Sequence, residues 1–142
     1  MRRNRACVMA VAVVMLLLAA CAGGSAGSAP TPEASDAQLL APPDFAEAVK
    51  QEQRLLVNVH TPDEGAIRGT DMTIPFDDLR ARVDELPGDD EVPLAIYCKS
   101  GNMSATAIDT LTELGYTDLI ELRGGMEAWV DSGHNLAGAN WD

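Results

Sequence analysis

Residues 94–104 read LAIYCKSGNMS and carry the strongest structural signal in the chain. Leu94–Tyr97 is an uninterrupted apolar run, which is typical of a parallel strand covered on both faces. Cys98 follows directly, and residues 98–103 form a predicted loop before a helix that starts at Ser104. In open α/β sheets, ligands bind just beyond the carboxyl ends of the strands. The stretch therefore predicts a functional loop that begins at Cys98.

Strand and helix signals alternate outward from this loop. The predicted strands cover residues 55–59, 72–74, 94–97 and 119–122. One predicted helix begins at Pro42, and three more cover residues 75–86, 104–114 and 125–131. Such alternation indicates an α/β domain with a mostly parallel sheet and helices on both faces.

The residues after Cys98 favour a loop that holds an anion. Gly101 and Asn102 tolerate positive φ, so successive backbone N–H groups can point inward as a nest. The following helix adds the positive end of its dipole. These surroundings favour the thiolate, which is the reactive form of cysteine. The loop also offers a cation and two hydroxyl donors at Lys99, Ser100 and Ser104.

The N-terminus is typical of a secretory signal. Three arginines within the first five residues precede an unbroken apolar run over residues 6–20, which is shorter than the roughly 20 residues of a membrane span. The sequence LAAC at residues 18–21 resembles the lipobox of bacterial lipoproteins. We therefore expect a signal peptide over residues 1–20, a lipid on Cys21 and an extracytoplasmic domain anchored to a bacterial membrane. An ordinary cleaved signal and an uncleaved anchor are the alternatives.

Composition defines the remaining organisation. Residues 21–38 are rich in Ala, Gly, Ser and Pro, which indicates a flexible tether before a folded domain over residues 39–142. The net charge is −12, and loss of residues 1–20 removes three of the ten basic residues and no acid, so it becomes 7 − 22 = −15. Phosphate contact needs a basic patch, so nucleic acid is excluded as a partner. The lipid alone must hold the protein at the membrane.

The chain has three cysteines, and only one of them belongs to the predicted domain. Cys7 lies in the predicted signal peptide, and Cys21 is the predicted lipid site. Cys98 then has no intramolecular disulfide partner. An unpaired thiol in an oxidising compartment is prone to oxidation, so its presence hints at use, although a buried inert cysteine is the default.

Three ordered stretches resemble single-domain rhodaneses. They are the loop at residues 98–104, an upstream VNVHTPDE at residues 57–64 with IRGTD at 67–71, and a downstream LRGGMEAW at 122–129. The resemblance implies a rhodanese-like fold and a sulfurtransferase in which Cys98 is the catalytic nucleophile. It also implies that residues 99–104 bind substrate.

The rhodanese resemblance further implies a Cys98 persulfide, formed from a small sulfur-containing anion such as thiosulfate, from polysulfide or from a persulfide. A thiol or cyanide would accept the sulfur, and no metal or organic cofactor is implied.

Three positions depart from the rhodanese pattern. Met103 stands where the family often has arginine, and we hypothesise that it favours less charged donors. Asn58 and His60 stand where aspartate and arginine are common, and we expect them to act on structure more than on chemistry. Among the other polar residues, we expect Arg123 to pair with an acid and Asp63–Glu64 to form a solvated turn.

Two other functions are compatible with parts of this pattern. The first is a non-catalytic envelope module that binds sulfur species or a protein partner. The second is a phosphatase or arsenate reductase of related fold, but such loops clamp an oxyanion with arginine. Positions 103 and 104 are Met and Ser here, which disfavours that interpretation.

Overall fold

The computed structural model describes residues 37–138. The predicted signal peptide, Cys21 and residues 21–36 of the predicted tether lie outside this range. Within it, the elements are β1 (Gln38–Leu40), α1 (Pro42–Ala48), β2 (Leu55–Asn58), β3 (Ala66–Ile67), β4 (Met72–Thr73), β5 (Leu94–Tyr97), α2 (Asn102–Glu113), β6 (Leu119–Leu122), α3 (Gly125–Asp131) and β7 (Leu136–Ala137). None of the helices in residues 37–138 is long and apolar enough to cross a membrane.

Five strands form a parallel sheet in the order β1-β6-β5-β2-β4. β5 lies at its centre, where Leu94 pairs with Leu55 of β2 and with Leu119 of β6. β3 and β7 form a separate antiparallel pair. The carboxyl ends of β2, β5 and β6 therefore lie side by side, which brings the residues that follow these strands together.

Each face of the sheet has its own apolar cluster. In β5, Leu94 and Ile96 point to one face and Ala95 and Tyr97 to the other, as the pleat of a strand requires. The first cluster includes α2, through Ala107, Ile108 and Leu111. The second includes α1 and α3, through Phe45, Met126 and Trp129. The predicted α/β class, with a mostly parallel sheet and helices on both faces, is confirmed.

The predictions for the central elements are confirmed. β5, β6 and α3 have the predicted bounds, and β2 and β4 end one residue before their predicted ends. Three strands were not predicted, namely β1, β3 and β7. Each has only two or three residues, which is too short for an alternating pattern to stand out.

The helix predicted over residues 75–86 is wrong. This segment consists of turns followed by a short 3-10 helix at Val83–Glu85. Its backbone hydrogen bonds mix two spacings. The Asp78 amide donates to Pro75 O, three residues back, at 2.9 Å, whereas the Arg82 amide donates to Asp78 O, four residues back, at 2.9 Å. Two leucines of the predicted helical face, Leu79 and Leu86, are nevertheless buried, so their apolar spacing serves the core without an α-helix.

Candidate functional site

Cys98 lies where β5 ends, on the face of the sheet that α2 covers. Its side chain is 1% exposed. The Gly101 amide donates a hydrogen bond to Cys98 Sγ at 3.1 Å. Gly101 has φ of 104°, which suits glycine and turns its amide back toward the sulfur. The sequence suggested that several amides point inward, but in the described part of the chain only the Gly101 amide donates to the sulfur.

The loop is shorter than predicted, because α2 begins at Asn102 and not at Ser104. The first helical turn is closed by the Ala105 amide, which donates to Gly101 O at 3.1 Å. Asn102 is therefore helical and does not adopt positive φ. Met103 is partly buried and packs against the apolar cluster beneath α2. Ser100 is exposed beside the turn.

The first turn of α3 fixes the loop from its other side. The Met126 amide donates to Cys98 O at 2.9 Å, and the Glu127 amide donates to Lys99 O at 3.0 Å. A Cβ on Gly125 would lie 2.5 Å from Lys99 O and closer still to Cys98 O. Only glycine allows this close approach, so Gly125 lets the first turn of α3 hold the Cys98 loop in place.

Charged side chains join the loop to the turn that follows β2. Lys99 Nζ donates to Glu64 Oε1 at 2.9 Å, and Glu64 Oε2 lies 2.5 Å from His60 Nε2. The hydrogen bond from Lys99 is the largest cause of a lowered pKa at Glu64, and the bond with His60 adds to it. The prediction of a plain solvated turn is therefore wrong for Glu64. The His60 side chain is 6% exposed, and no hydrogen bond to its Nδ1 is present among residues 37–138.

Two further residues have structural contacts. Asn58 Oδ1 accepts from the His60 amide at 3.0 Å, and Asn58 Nδ2 donates to Gly65 O at 3.2 Å, so this buried side chain shapes the turn after β2. Arg123 was expected to pair with an acid. Instead, its Nη2 donates to Leu39 O at 3.2 Å and ties the turn after β6 to β1.

Sequence reasoning missed Glu121 in β6. Its Oε1 accepts a hydrogen bond from Ser104 Oγ at 2.6 Å, and Cys98 Sγ lies 3.4 Å from the same hydroxyl oxygen. The signal was present, because a carboxylate inside the apolar run of residues 119–122 is unusual. Its partner could not be inferred locally, since Ser104 is 17 positions away.

The site offers a thiol, a hydroxyl, carboxylates and an amine. Across residues 37–138, no group of three or more His, Cys, Asp or Glu side chains is arranged to hold a metal ion. The arrangement suits nucleophilic chemistry at sulfur, because Cys98 Sγ accepts a hydrogen bond from a backbone amide and lies beside the Ser104 hydroxyl.

Comparisons with known proteins agree with this geometry. Residues 42–132 match the rhodanese-like domain family. A sulfurtransferase of Allochromatium vinosum is 38% identical over 85 residues, which cover 58% of this chain and 77% of that protein. The thiosulfate sulfurtransferase GlpE of Pseudomonas fluorescens is 27% identical over 88 residues, which cover 62% of this chain and 81% of that protein.

Similarity to solved structures points the same way. The crystal structure of a rhodanese-related protein from Thermoplasma volcanium superposes with a TM-score of 0.60 at 26% identity, covering 70% of this chain and 97% of that one. The family match spans most of the described residues and includes the Cys98 loop, Glu121 and the pair Gly124 and Gly125 at the start of α3. The chain therefore belongs to the rhodanese-like domain family.

Proposed function

We propose that this protein is a sulfurtransferase that carries sulfane sulfur as a persulfide on Cys98. The observation that carries the proposal is the position of Cys98 Sγ, which follows the central strand and accepts the Gly101 amide at 3.1 Å. The loop around it is fixed by two amides of α3. The sulfurtransferases among its relatives support the same chemistry.

The proposed reaction has two balanced steps. The Cys98 thiolate attacks the outer sulfur of a donor R–S–SH, so the donor S–S bond breaks, a new S–S bond forms on Cys98, and the thiolate R–S⁻ leaves. An acceptor thiolate then attacks the outer sulfur of the Cys98 persulfide. That step regenerates the Cys98 thiolate and gives the acceptor persulfide, or thiocyanate when cyanide is the acceptor. No external oxidant or reductant is consumed.

We further propose that weakly charged donors, such as organic persulfides and polysulfide, are preferred to thiosulfate. A dianionic donor needs cationic compensation, and two features of the loop reduce it. Met103, at the position where rhodaneses often have arginine, packs against the apolar cluster and supplies no charge. The Lys99 ammonium donates to Glu64, whose carboxylate offsets its charge.

A second function, a binding module without turnover, is favoured by one observation: Cys98 is 1% exposed. A donor then reaches the sulfur only after the loop opens. Sulfur transfer to cyanide distinguishes the two functions, with polysulfide and thiosulfate as separate donors and Cys98→Ser as the control. Thiocyanate formation that Cys98→Ser abolishes supports the enzyme. Equal rates for wild type and Cys98→Ser would reject it.

We also propose that Cys21 carries a lipid that anchors the domain outside the cytoplasm. The proposal rests on the LAAC stretch at residues 18–21 after the apolar run. Cells grown with an alkyne-labelled fatty acid should label the protein and retain it in the membrane fraction. A Cys21→Ala variant should lose both the label and the membrane retention. Equal labelling of the two proteins would contradict lipidation at this residue.

A further inference from the structure

Three side chains form a continuous series of contacts beneath the Cys98 loop. Cys98 Sγ lies 3.4 Å from Ser104 Oγ, and Ser104 Oγ donates to Glu121 Oε1 at 2.6 Å. Cys98 follows β5, Ser104 is in the first turn of α2, and Glu121 is in β6. Ser104 is 0% exposed, so water does not compete for its hydroxyl. The sulfur is thereby connected to a carboxyl group through one oxygen.

Glu121 occupies a position where the sheet otherwise buries apolar side chains. In β6, Ile120 and Leu122 face the cluster of α1 and α3, so the pleat of the strand points Glu121 to the opposite face, toward α2. Ile96, which pairs with Glu121 in β5, points to the same face. Burial is the main cause of a raised pKa at Glu121, and the charge of Asp109 acts in the same direction. The bond from Ser104 opposes them.

Within residues 37–138, few other ionisable groups face Glu121. α2 contributes Asp109, whose charge acts on it. β1 has no ionisable side chain, and the one ionisable residue of β5, Tyr97, belongs to the cluster on the opposite face of the sheet. The protonation of the half-buried Glu121 therefore depends on its burial, on the bond from Ser104 and on the charge of Asp109.

The Ser104 hydroxyl has a single proton, and the acceptor of that proton sets the direction of the hydrogen bonds between Cys98, Ser104 and Glu121. When that proton is donated to the Glu121 carboxylate, the Ser104 oxygen is left to accept a proton from Cys98 Sγ–H. When Glu121 is protonated, the direction reverses, and the hydroxyl can donate to the thiolate. The Gly101 carbonyl, 3.0 Å from Ser104 Oγ, is a second acceptor for the same proton. Both directions use the same atoms without a rearrangement of the backbone.

We propose that Cys98 and Glu121 share one proton through Ser104, and that Glu121 is a positioning residue that draws this proton away from the thiol. The Sγ–H bond breaks as a new Oγ–H bond forms on Ser104, and the original Oγ–H bond breaks as the proton binds Oε1 of Glu121. The electron pair of the S–H bond stays on sulfur. The net charge of −1 is unchanged, and the reverse transfer restores the thiol. The inference rests on the proposed function, because it assigns the proton that persulfide formation must remove.

The test is the pH dependence of Cys98 alkylation by iodoacetamide, followed by mass spectrometry of the Cys98 peptide in the purified full-length protein. Rates are normalised to each variant's high-pH plateau, so loop opening cancels. Two groups that share a proton titrate in two macroscopic steps, and we expect two steps in the wild type. In Glu121→Gln we expect a single step that lies below the upper wild-type step, because the neighbouring negative charge is gone.

Three further variants distinguish this proton relay, formed by Cys98, Ser104 and Glu121, from a merely structural role of the same residues. Ser104→Ala should also give a single step, and Ser104→Thr should restore two steps because it keeps the hydroxyl. Asp109→Asn, which removes charge without touching the relay, should retain both steps. Profiles of Glu121→Gln and Ser104→Ala that superimpose on the wild type would overturn the relay. Persulfide formation on the wild type, measured separately, tests the proposed function, so the two failures are distinguishable.

Discussion

Replacement of Gly125 by alanine tests how closely α3 holds the Cys98 loop. The new Cβ would lie 2.5 Å from Lys99 O and closer still to Cys98 O, nearer than side-chain carbons approach backbone oxygens. Both oxygens accept hydrogen bonds from α3, at 2.9 Å and 3.0 Å. The methyl group therefore cannot be accommodated unless α3 moves away from the loop and lengthens both bonds.

The magnitude follows from three costs. An alanine at φ of 60° costs about 1–2 kcal/mol relative to glycine. Forcing one extra carbon into a close-packed contact costs about 1–3 kcal/mol. Each weakened hydrogen bond adds about 0.5–1.5 kcal/mol. With two hydrogen bonds weakened, we expect Gly125→Ala to lower the free energy of unfolding by about 3–8 kcal/mol, a large part of the stability of a domain of this size.

Gly133→Ala is the matched control. Gly133 also has positive φ, at 89°, but apart from Gly133 and its chain neighbours no atom of residues 37–138 lies within 4 Å of the position that its Cβ would take. It therefore carries the conformational cost alone, about 1–2 kcal/mol. Urea unfolding of the wild type and both variants measures the difference, and the alkylation rate of Cys98 reports whether the loop has loosened. Equal losses of stability in the two variants would refute the close packing of α3 on the loop.

Three other predictions concern separate features. Met103→Arg should raise the rate with thiosulfate relative to polysulfide, because it restores a cation beside the loop; an unchanged donor preference would remove the charge argument. Tyr97→Phe should cost about 1–3 kcal/mol in urea unfolding, because the Ile67 amide donates to the buried Tyr97 hydroxyl at 3.0 Å and would lose its acceptor; a change below about 0.5 kcal/mol would contradict this role. The bond from Lys99 lowers the pKa of Glu64 from 4.5, so its contribution to stability is present above pH 4.5 and is lost as the pH falls through the lowered value. Glu64→Gln should flatten the pH dependence of unfolding in that acid range, and an unchanged slope would contradict the ion pair.

The central part of the fold could be predicted from the sequence because it depends on local signals. The apolar run at Leu94–Tyr97 and the glycine beyond α2 define their elements without help from distant residues. The helix predicted over residues 75–86 was wrong because its leucines have helical spacing while its backbone hydrogen bonds mix the three-residue and four-residue spacings. β1 and β7 were missed because they are short and are stabilised by pairing with remote strands.

The candidate site shows the same division. The position of Cys98 after a central strand could be predicted, since sequence order alone places it at the edge of a parallel sheet. The partners of its loop could not. Glu64 meets Lys99 across 35 positions, and Glu121 meets Ser104 across 17, and in both cases the parallel pairing of neighbouring strands brings them together. Pairwise strand order is not encoded in any one stretch of sequence.

The central claim is that Cys98 accepts and releases sulfur. Its most direct test is mass spectrometry of the protein after exposure to polysulfide, with and without a later excess of cyanide. We predict a mass increase of one sulfur atom on the Cys98 peptide, and its loss after cyanide together with formation of thiocyanate. A Cys98 peptide that keeps its original mass in the folded protein, under conditions in which free cysteine gains sulfur, would contradict the account.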